Sequence, residues 1–150
     1  MKIISNNRKA YHDYTVFETI ECGIELRGSE VKSLRDGRIN LNDSFARIEE
    51  GEVSLYNANI SPYAQASYLN VDPVRVRKLL LHKKQIAKLE VETAQRGLTL
   101  IPIKIYFNAR GLVKIELALC KGKKLYDRRE DLKKREVDRE MRRGLKSRRK

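Results

Sequence analysis

Residues 98–107 (LTLIPIKIYF) and 112–120 (LVKIELALC) flank the tetrapeptide Asn-Ala-Arg-Gly, and this pair constrains the fold more than any other stretch. In the second run Val113, Ile115, Leu117 and Leu119 alternate with Lys114, Glu116, Ala118 and Cys120, the period of a strand with one face turned to a core. Two such runs around a Gly-containing turn form an antiparallel hairpin. Any fold for this chain is therefore built on a sheet that buries the odd-numbered face of 113–119.

The rest of the chain supplies shorter pieces. Residues 14–27 (YTVFETIECGIELR) are rich in β-branched and aromatic residues and read as one bent strand or two. In 28–37 (GSEVKSLRDG) Ser29 is placed to cap a short helix. Glu30 suits the positive end of its dipole, Val31 and Leu34 share a face, and Gly37 ends it. Residues 44–60 give two strands around Glu50-Gly51. In 74–81 (VRVRKLLL) the alternation places Arg75 and Arg77 opposite Val74 and Val76. Residues 82–97 form a second helix, with Ile86, Leu89 and Ala94 near helical spacing and Gly97 as its stop. About six short strands with two or three short helices, and no regular βαβ rhythm, predict a mainly β protein. The expected architecture is a small closed antiparallel barrel resembling an oligonucleotide-binding (OB) fold, preceded by a polar N-terminal arm.

Charge is distributed unevenly. Residues 121–150 carry 15 Lys/Arg and 6 Asp/Glu, net +9, which leaves only +4 of the total +13 on residues 1–120. A segment so charged repels itself until phosphates neutralise it, so a polyanion is the expected partner. Asp131/Arg135 and Asp138/Arg142 are spaced to pair along a helix, but no apolar stripe runs through the segment. The tail is thus expected to be disordered when free and helical on its partner. The division is residues 1–125 as the barrel with its arm and 126–150 as the tail.

Enzyme signatures are absent: no phosphate-cradling Gly-rich loop with Lys-Ser/Thr, no Gly-x-Ser-x-Gly elbow, and no His-Glu-x-x-His motif. His12-Asp13 lie next to each other, where strand geometry would send their side chains to opposite faces, and His82 falls where a helix begins. Cys22 and Cys120 make neither a disulfide framework nor a zinc site, so no metal or cofactor is expected. The N-terminal apolar run is Ile3-Ile4, too short for a signal peptide, and no stretch is long enough for a membrane span, which points to the cytoplasm. Basic residues gather at Arg8/Lys9, Lys32/Arg35, Arg75–Lys78 and Lys121–Lys124, with Tyr11, Tyr14 and Tyr126 interleaved. That combination suits RNA, whose bases and riboses stack on aromatic rings and whose phosphates pair with Lys and Arg.

Five ordered segments, NRKAYHDY (7–14), GSEVKSLR (28–35), NISPY (59–63), RVRKLLLHKKQI (75–86) and KGKKLYDRR (121–129), resemble the motifs of the small protein B family, the bacterial tmRNA-binding proteins. The resemblance implies an OB-like barrel that grips the tRNA-like domain of tmRNA. It also implies service as a non-catalytic adaptor in trans-translation, the rescue of stalled ribosomes, with elongation factor Tu in the delivery complex. By position it assigns Asn7, Lys9, Tyr14, Glu21, Lys32, Leu80, Lys121, Gly122, Lys123 and Lys124 to the RNA-binding face. Asp127, Arg128 and Arg129 match an element of the tail that acts on the ribosome, Arg128 standing where the family usually has Lys. A basic structural or assembly protein of the ribosome, bound to ribosomal RNA, is the alternative consistent with charge alone.

Overall fold

Backbone pairing follows the predicted hairpin outward. The computed structural model describes residues 1–63, 71–123 and Arg139. In chain order the elements are β1 (Lys2–Asn6), α1 (Arg8–Asp13), β2 (Tyr14–Ile24), α2 (Gly28–Arg35), β3 (Ile39–Asn40), β4 (Phe45–Glu49), β5 (Glu52–Tyr56), β6 (Asn59–Ile60), β7 (Arg77–Leu80), α3 (Lys83–Arg96), β8 (Thr99–Phe107) and β9 (Val113–Gly122). Strands β8 and β9 pair from Thr99↔Cys120 to Phe107↔Val113, and Asn108 Oδ1 ties the turn by accepting from the backbone N–H groups of Arg110 and Leu112. Pro102, which has no N–H to give, sits where the register shifts, between Pro102 and Lys104.

β9 also pairs along its length with β2, and the order β8-β4-β5-β7-β2-β9 then returns to β8, a closed antiparallel ring of six strands. This is the OB-like closed sheet expected from the strand pattern. β1 adds to the free stretch of β8, and β3 and β6 form a separate pair. The β4–β5 hairpin turns at Glu50 (φ 51°) and Gly51 (φ 76°), the left-handed pair a tight two-residue turn requires.

The ring is filled by Val53, Leu55, Leu79, Leu100, Ile105, Ile115, Leu117 and Leu119, with Leu34 from α2 and Leu89 from α3 in the same core. Ile86 packs beside Leu89, whereas Ala94 is exposed, so the inward face of α3 ends a turn earlier than its apolar spacing suggests. Gly97 at φ 63° stops that helix as expected.

Three sequence expectations need correction. The N-terminal arm is β1 and α1. The Asn7 side chain caps α1 by accepting from Ala10 N–H at 3.2 Å, and its amide donates to the carbonyls of Leu41 and Pro102. Secondly, Ala118 and Cys120 do not face solvent. Ala10 of α1 closes them, with Ile101 and Ile103, into a second cluster, so this end of β8–β9 is buried on both faces. Thirdly, Ser29 is not the cap of α2. The helix starts after Arg27, whose backbone N–H donates to Glu30 Oε1 at 2.8 Å.

The largest departure is at VRVRKLLL. Arg77 is fully buried, while Val74 and Val76 are nearly half exposed, the reverse of what hydrophobicity alone dictates. The reason is Glu30, itself buried. Its carboxylate receives Arg77 Nε at 2.5 Å and Arg75 Nη2 at 2.6 Å, and the Arg77 fork continues to the carbonyls of Ala58 (2.7 Å) and Pro73 (3.0 Å). Burial opposes ionisation of Glu30, but the hydrogen bonds from Arg75, the Arg27 backbone and Arg77 outweigh it and hold the carboxyl below its usual range.

Since that folded-state value is depressed, the stability Glu30 contributes is complete above the unfolded carboxyl value of about 4.3 and is lost as pH falls through the folded one. Glu30→Gln, which leaves the guanidinium groups uncompensated, is expected to cost about 3–5 kcal/mol at neutral pH in urea denaturation. The gap to the native chain should narrow as pH drops below about 4; a gap independent of pH would mean that Glu30 acts by packing and not by charge.

Candidate nucleic-acid interface

The strand pairing of β2 with β9 decides which of the expected residues meet. Tyr14 lies opposite Gly122 and Thr15 opposite Lys121, and the backbone N–H of Lys123 donates to the Asp13 carbonyl at 2.8 Å. α1 runs directly into this end of β2, so Lys9, Tyr14, Lys121, Gly122 and Lys123 form one neighbourhood. Lys9 and Lys121 are exposed and Tyr14 is half-buried against the second cluster. Lys9 Nζ is held 2.6 Å from Asp43, and that contact raises its ammonium above the usual range. Asn7 lies under this neighbourhood and is buried, its side chain consumed by the cap and two carbonyls. It shapes the surface without being on it.

Beside Lys9 and Tyr14 a groove of ≈ 700 Å³ opens between α1, β4 and the start of β8. Its position follows from the ring, because β4 meets β8 at a single register pair, Ala46↔Leu100, and the sheet parts there. Phe45 stands in its wall, stacked on Tyr56 at 5.4 Å, with the Arg47 guanidinium over both rings.

Glu21 and Leu80 lie toward the other end of β2, the former roughly 23 Å from Tyr14 by strand rise. Glu21 is opposite Glu116 and accepts a hydrogen bond from the Tyr106 hydroxyl. Leu80, 47% exposed, lies over the backbone of Gly23, its register partner. Lys32 is exposed on α2, its ammonium 5.6 Å from the Tyr63 ring centroid. The expected residues thus fall into two groups joined by β2, with Lys32 on a third element. Lys124, Asp127, Arg128 and Arg129 lie outside the described residues, as do Tyr126 and the rest of the tail apart from Arg139.

One expected basic cluster is withdrawn. Arg75 and Arg77 are committed to Glu30, which leaves Lys78 as the exposed cation of that strand, itself 3.3 Å from Glu52. His12 and Asp13, being on a helix and not a strand, do meet, with Nδ1 2.9 Å from Oδ1. His82 is the N-cap residue of α3, its backbone N–H donating to Gln85 at 3.0 Å. Cys22 and Cys120 are free and buried, which pushes both thiols up to about 12 and leaves them unreactive. Among the described residues no group of His, Cys, Asp and Glu could hold a metal ion, and no helix is long and apolar enough to cross a membrane. The partners of Lys9 and Glu21, Asp43 and Tyr106, were not legible in the sequence. They lie 34 and 85 residues away, beyond any local spacing.

The chain is similar to known proteins over most of its length. The SmpB protein family model matches residues 4–147. The chain is 59% identical over 146 residues to the SsrA-binding protein of Caldicellulosiruptor bescii, covering 97% of this chain and 92% of the relative. It is 57% identical over 148 residues to that of Enterococcus faecalis, covering 99% and 96%. A solved structure described as "tmRNA-SmpB: a journey to the center of the bacterial ribosome" superposes with a TM-score of 0.70 at 53% identity, covering 83% of this chain and 87% of that one.

Gly122, one of the expected RNA-face residues, and Gly23, the register partner of Leu80, separate contact from packing. A Cβ at Gly122 would meet only Tyr14 Cε1, at an ordinary 3.8 Å, whereas one at Gly23 would press Leu80 Cβ at 3.3 Å. Gly122→Ala is expected to change stability by less than about 0.5 kcal/mol, so any loss of RNA affinity reports close approach of the RNA backbone. Gly23→Ala should displace Leu80 and cost more in thermal denaturation; equal costs at the two sites would contradict the packing described.

Proposed function

Since this chain belongs to the SmpB protein family, we propose that it binds tmRNA through the tRNA-like domain and delivers it to stalled ribosomes as a non-catalytic adaptor. The observation that carries the reading is identity above half with SsrA-binding proteins, SsrA being tmRNA, over nearly the whole of both chains. Its setting is the ribosome, and hence the cytoplasm, with elongation factor Tu in the delivery complex.

The closed ring supplies a rigid body, and Lys9, Tyr14, Lys121, Gly122, Lys123 and Lys124 form one part of its RNA-binding face. Glu21, Lys32 and Leu80 extend that face. Exposed ammonium groups contact phosphates, the half-exposed Tyr14 ring offers a face on which an unstacked base can stack, and folded RNA is recognised largely by shape. Asn7 contributes by fixing where α1 begins. On this reading residues 1–125 bind the RNA, and residues 126–150, with Asp127, Arg128 and Arg129, act later on the ribosome. Six carboxylates among 15 cations in 121–150 favour a helix with internal pairs over a merely adhesive strand.

Sequencing the RNA that copurifies with the protein tests the function: tmRNA should dominate, and ribosomal RNA alone would overturn the reading. Affinity for tmRNA should fall with salt on a log-log slope of about 0.7–0.9 per phosphate contacted. A chain ending after Leu125 should keep tmRNA affinity and lose peptide tagging on stalled ribosomes, and a tail of the same composition in scrambled order should not restore it. Full tagging by the scrambled tail would reduce its role to charge.

A further inference from the structure

Glu21 is the one carboxylate among the residues assigned to the RNA face, and an anion there repels the phosphates that Lys9 and Lys121 attract. It forms no ion pair among the described residues. The nearest carboxylate in register, Glu116, is taken by Lys104 at 3.5 Å. Instead Glu21 Oε2 accepts a hydrogen bond from the hydroxyl of Tyr106, which reaches over β9 from β8. Tyr106 is 5% exposed, and its backbone is fixed on both sides, opposite Ile3 of β1 and Lys114 of β9. Burial first, and then the Glu21 charge, keep its hydroxyl protonated, so it remains a donor.

An ionised carboxylate is an acceptor only, with two oxygens to satisfy. Tyr106 occupies one and sets the plane of the other. We propose that Tyr106 is a positioning residue that aims Glu21 Oε1 at an N–H or O–H donor of the bound RNA, an amino or imino group of a base or a ribose 2′-hydroxyl. The inference rests on the assignment of Glu21 to the RNA face. Its consequence is discrimination. A carboxylate at a fixed point rejects a phosphate and accepts a base edge or hydroxyl, so it selects the register in which such a donor arrives. The lysines attract any RNA, and the Glu21–Tyr106 unit admits the one that presents a donor there.

The test is a double-mutant cycle on the full chain, with Tyr106→Phe, Glu21→Ala and their combination. Binding to tmRNA and to an arbitrary RNA duplex is measured across a salt series, and melting temperatures alongside. Tyr106→Phe keeps the buried ring and removes only the hydroxyl. It is expected to lower tmRNA affinity about fivefold, the size of one hydrogen bond's net contribution, with duplex affinity unchanged. The salt slope should also hold, because no phosphate contact is lost. Glu21→Ala should lower tmRNA affinity further, and the double variant should match Glu21→Ala alone. If Tyr106→Phe loses the same factor in the Glu21→Ala background, or loses duplex affinity in proportion to a fall in melting temperature, Tyr106 serves the fold and the proposal fails. If Glu21→Ala weakens tmRNA binding while Tyr106→Phe does not, the positioning role fails and the face stands. If Glu21→Ala leaves tmRNA binding intact, the assignment of Glu21 to the face fails, and the proposal with it.

Discussion

Closure of the sheet through β9 is the constraint on which the rest depends. β9 is hydrogen-bonded to β2 along one edge and to β8 along the other, so the two halves of the ring are fastened by one strand. Its inward face fills the core with Ile115, Leu117 and Leu119, and its outward face, at Ala118 and Cys120, is covered by α1. A strand buried on both faces cannot slip register without exposing apolar groups on one side and burying polar groups on the other. The exit of that strand is therefore fixed in space, and it delivers Lys121, Gly122 and Lys123 beside Tyr14. The rigidity of the candidate interface is inherited from the core and needs no interaction of its own.

A second anchor is polar. Glu30 and Arg77 are among the most deeply buried residues, and the contacts of Glu30 with Arg75 and Arg77 tie α2 to β7 and the segment entering it. Buried ion pairs seldom stabilise a fold more than apolar side chains of the same size, because desolvation offsets the Coulomb attraction. What this one does supply is direction. The planar Arg77 fork fits one carboxylate and two carbonyls at once, an arrangement that only one placement of α2 satisfies. Lys32, two residues along the same helix, is carried to its exposed position by that placement.

The charges divide into working classes by burial. Lys121 is exposed, Lys9 is exposed but paired with Asp43, Arg75 and Arg77 are internal ties, and Glu21 is an anion held by a neutral donor. Counting cations along the sequence merges these classes. Phosphate contacts by themselves attract all nucleic acid alike, and selectivity comes from base-edge contacts, stacking and shape. Glu21, Tyr14 and Gly122 are the residues proposed above for contacts of that kind.

The sequence by itself determined the elements with strong local signals. These are the β8–β9 hairpin, from alternation around Asn108–Gly111, the β4–β5 turn, from Glu50-Gly51, and α3, from Ile86 and Leu89 and its stop at Gly97. It also determined the family resemblance, through five ordered motifs. Each rests on interactions between residues near in the chain, or on a face whose burial a periodic pattern announces. Only the tertiary structure decided that Asn7 is buried, that Ala118 and Cys120 are covered, that Arg77 lies inside while Val76 lies outside, and that Tyr106 holds Glu21. In each of these the deciding partner lies far away in sequence, Pro102 for Asn7, Ala10 for Ala118 and Cys120, Glu30 for Arg77 and Tyr106 for Glu21. Local spacing carries no trace of such a partner, because the energy that selects it appears only once the ring has closed.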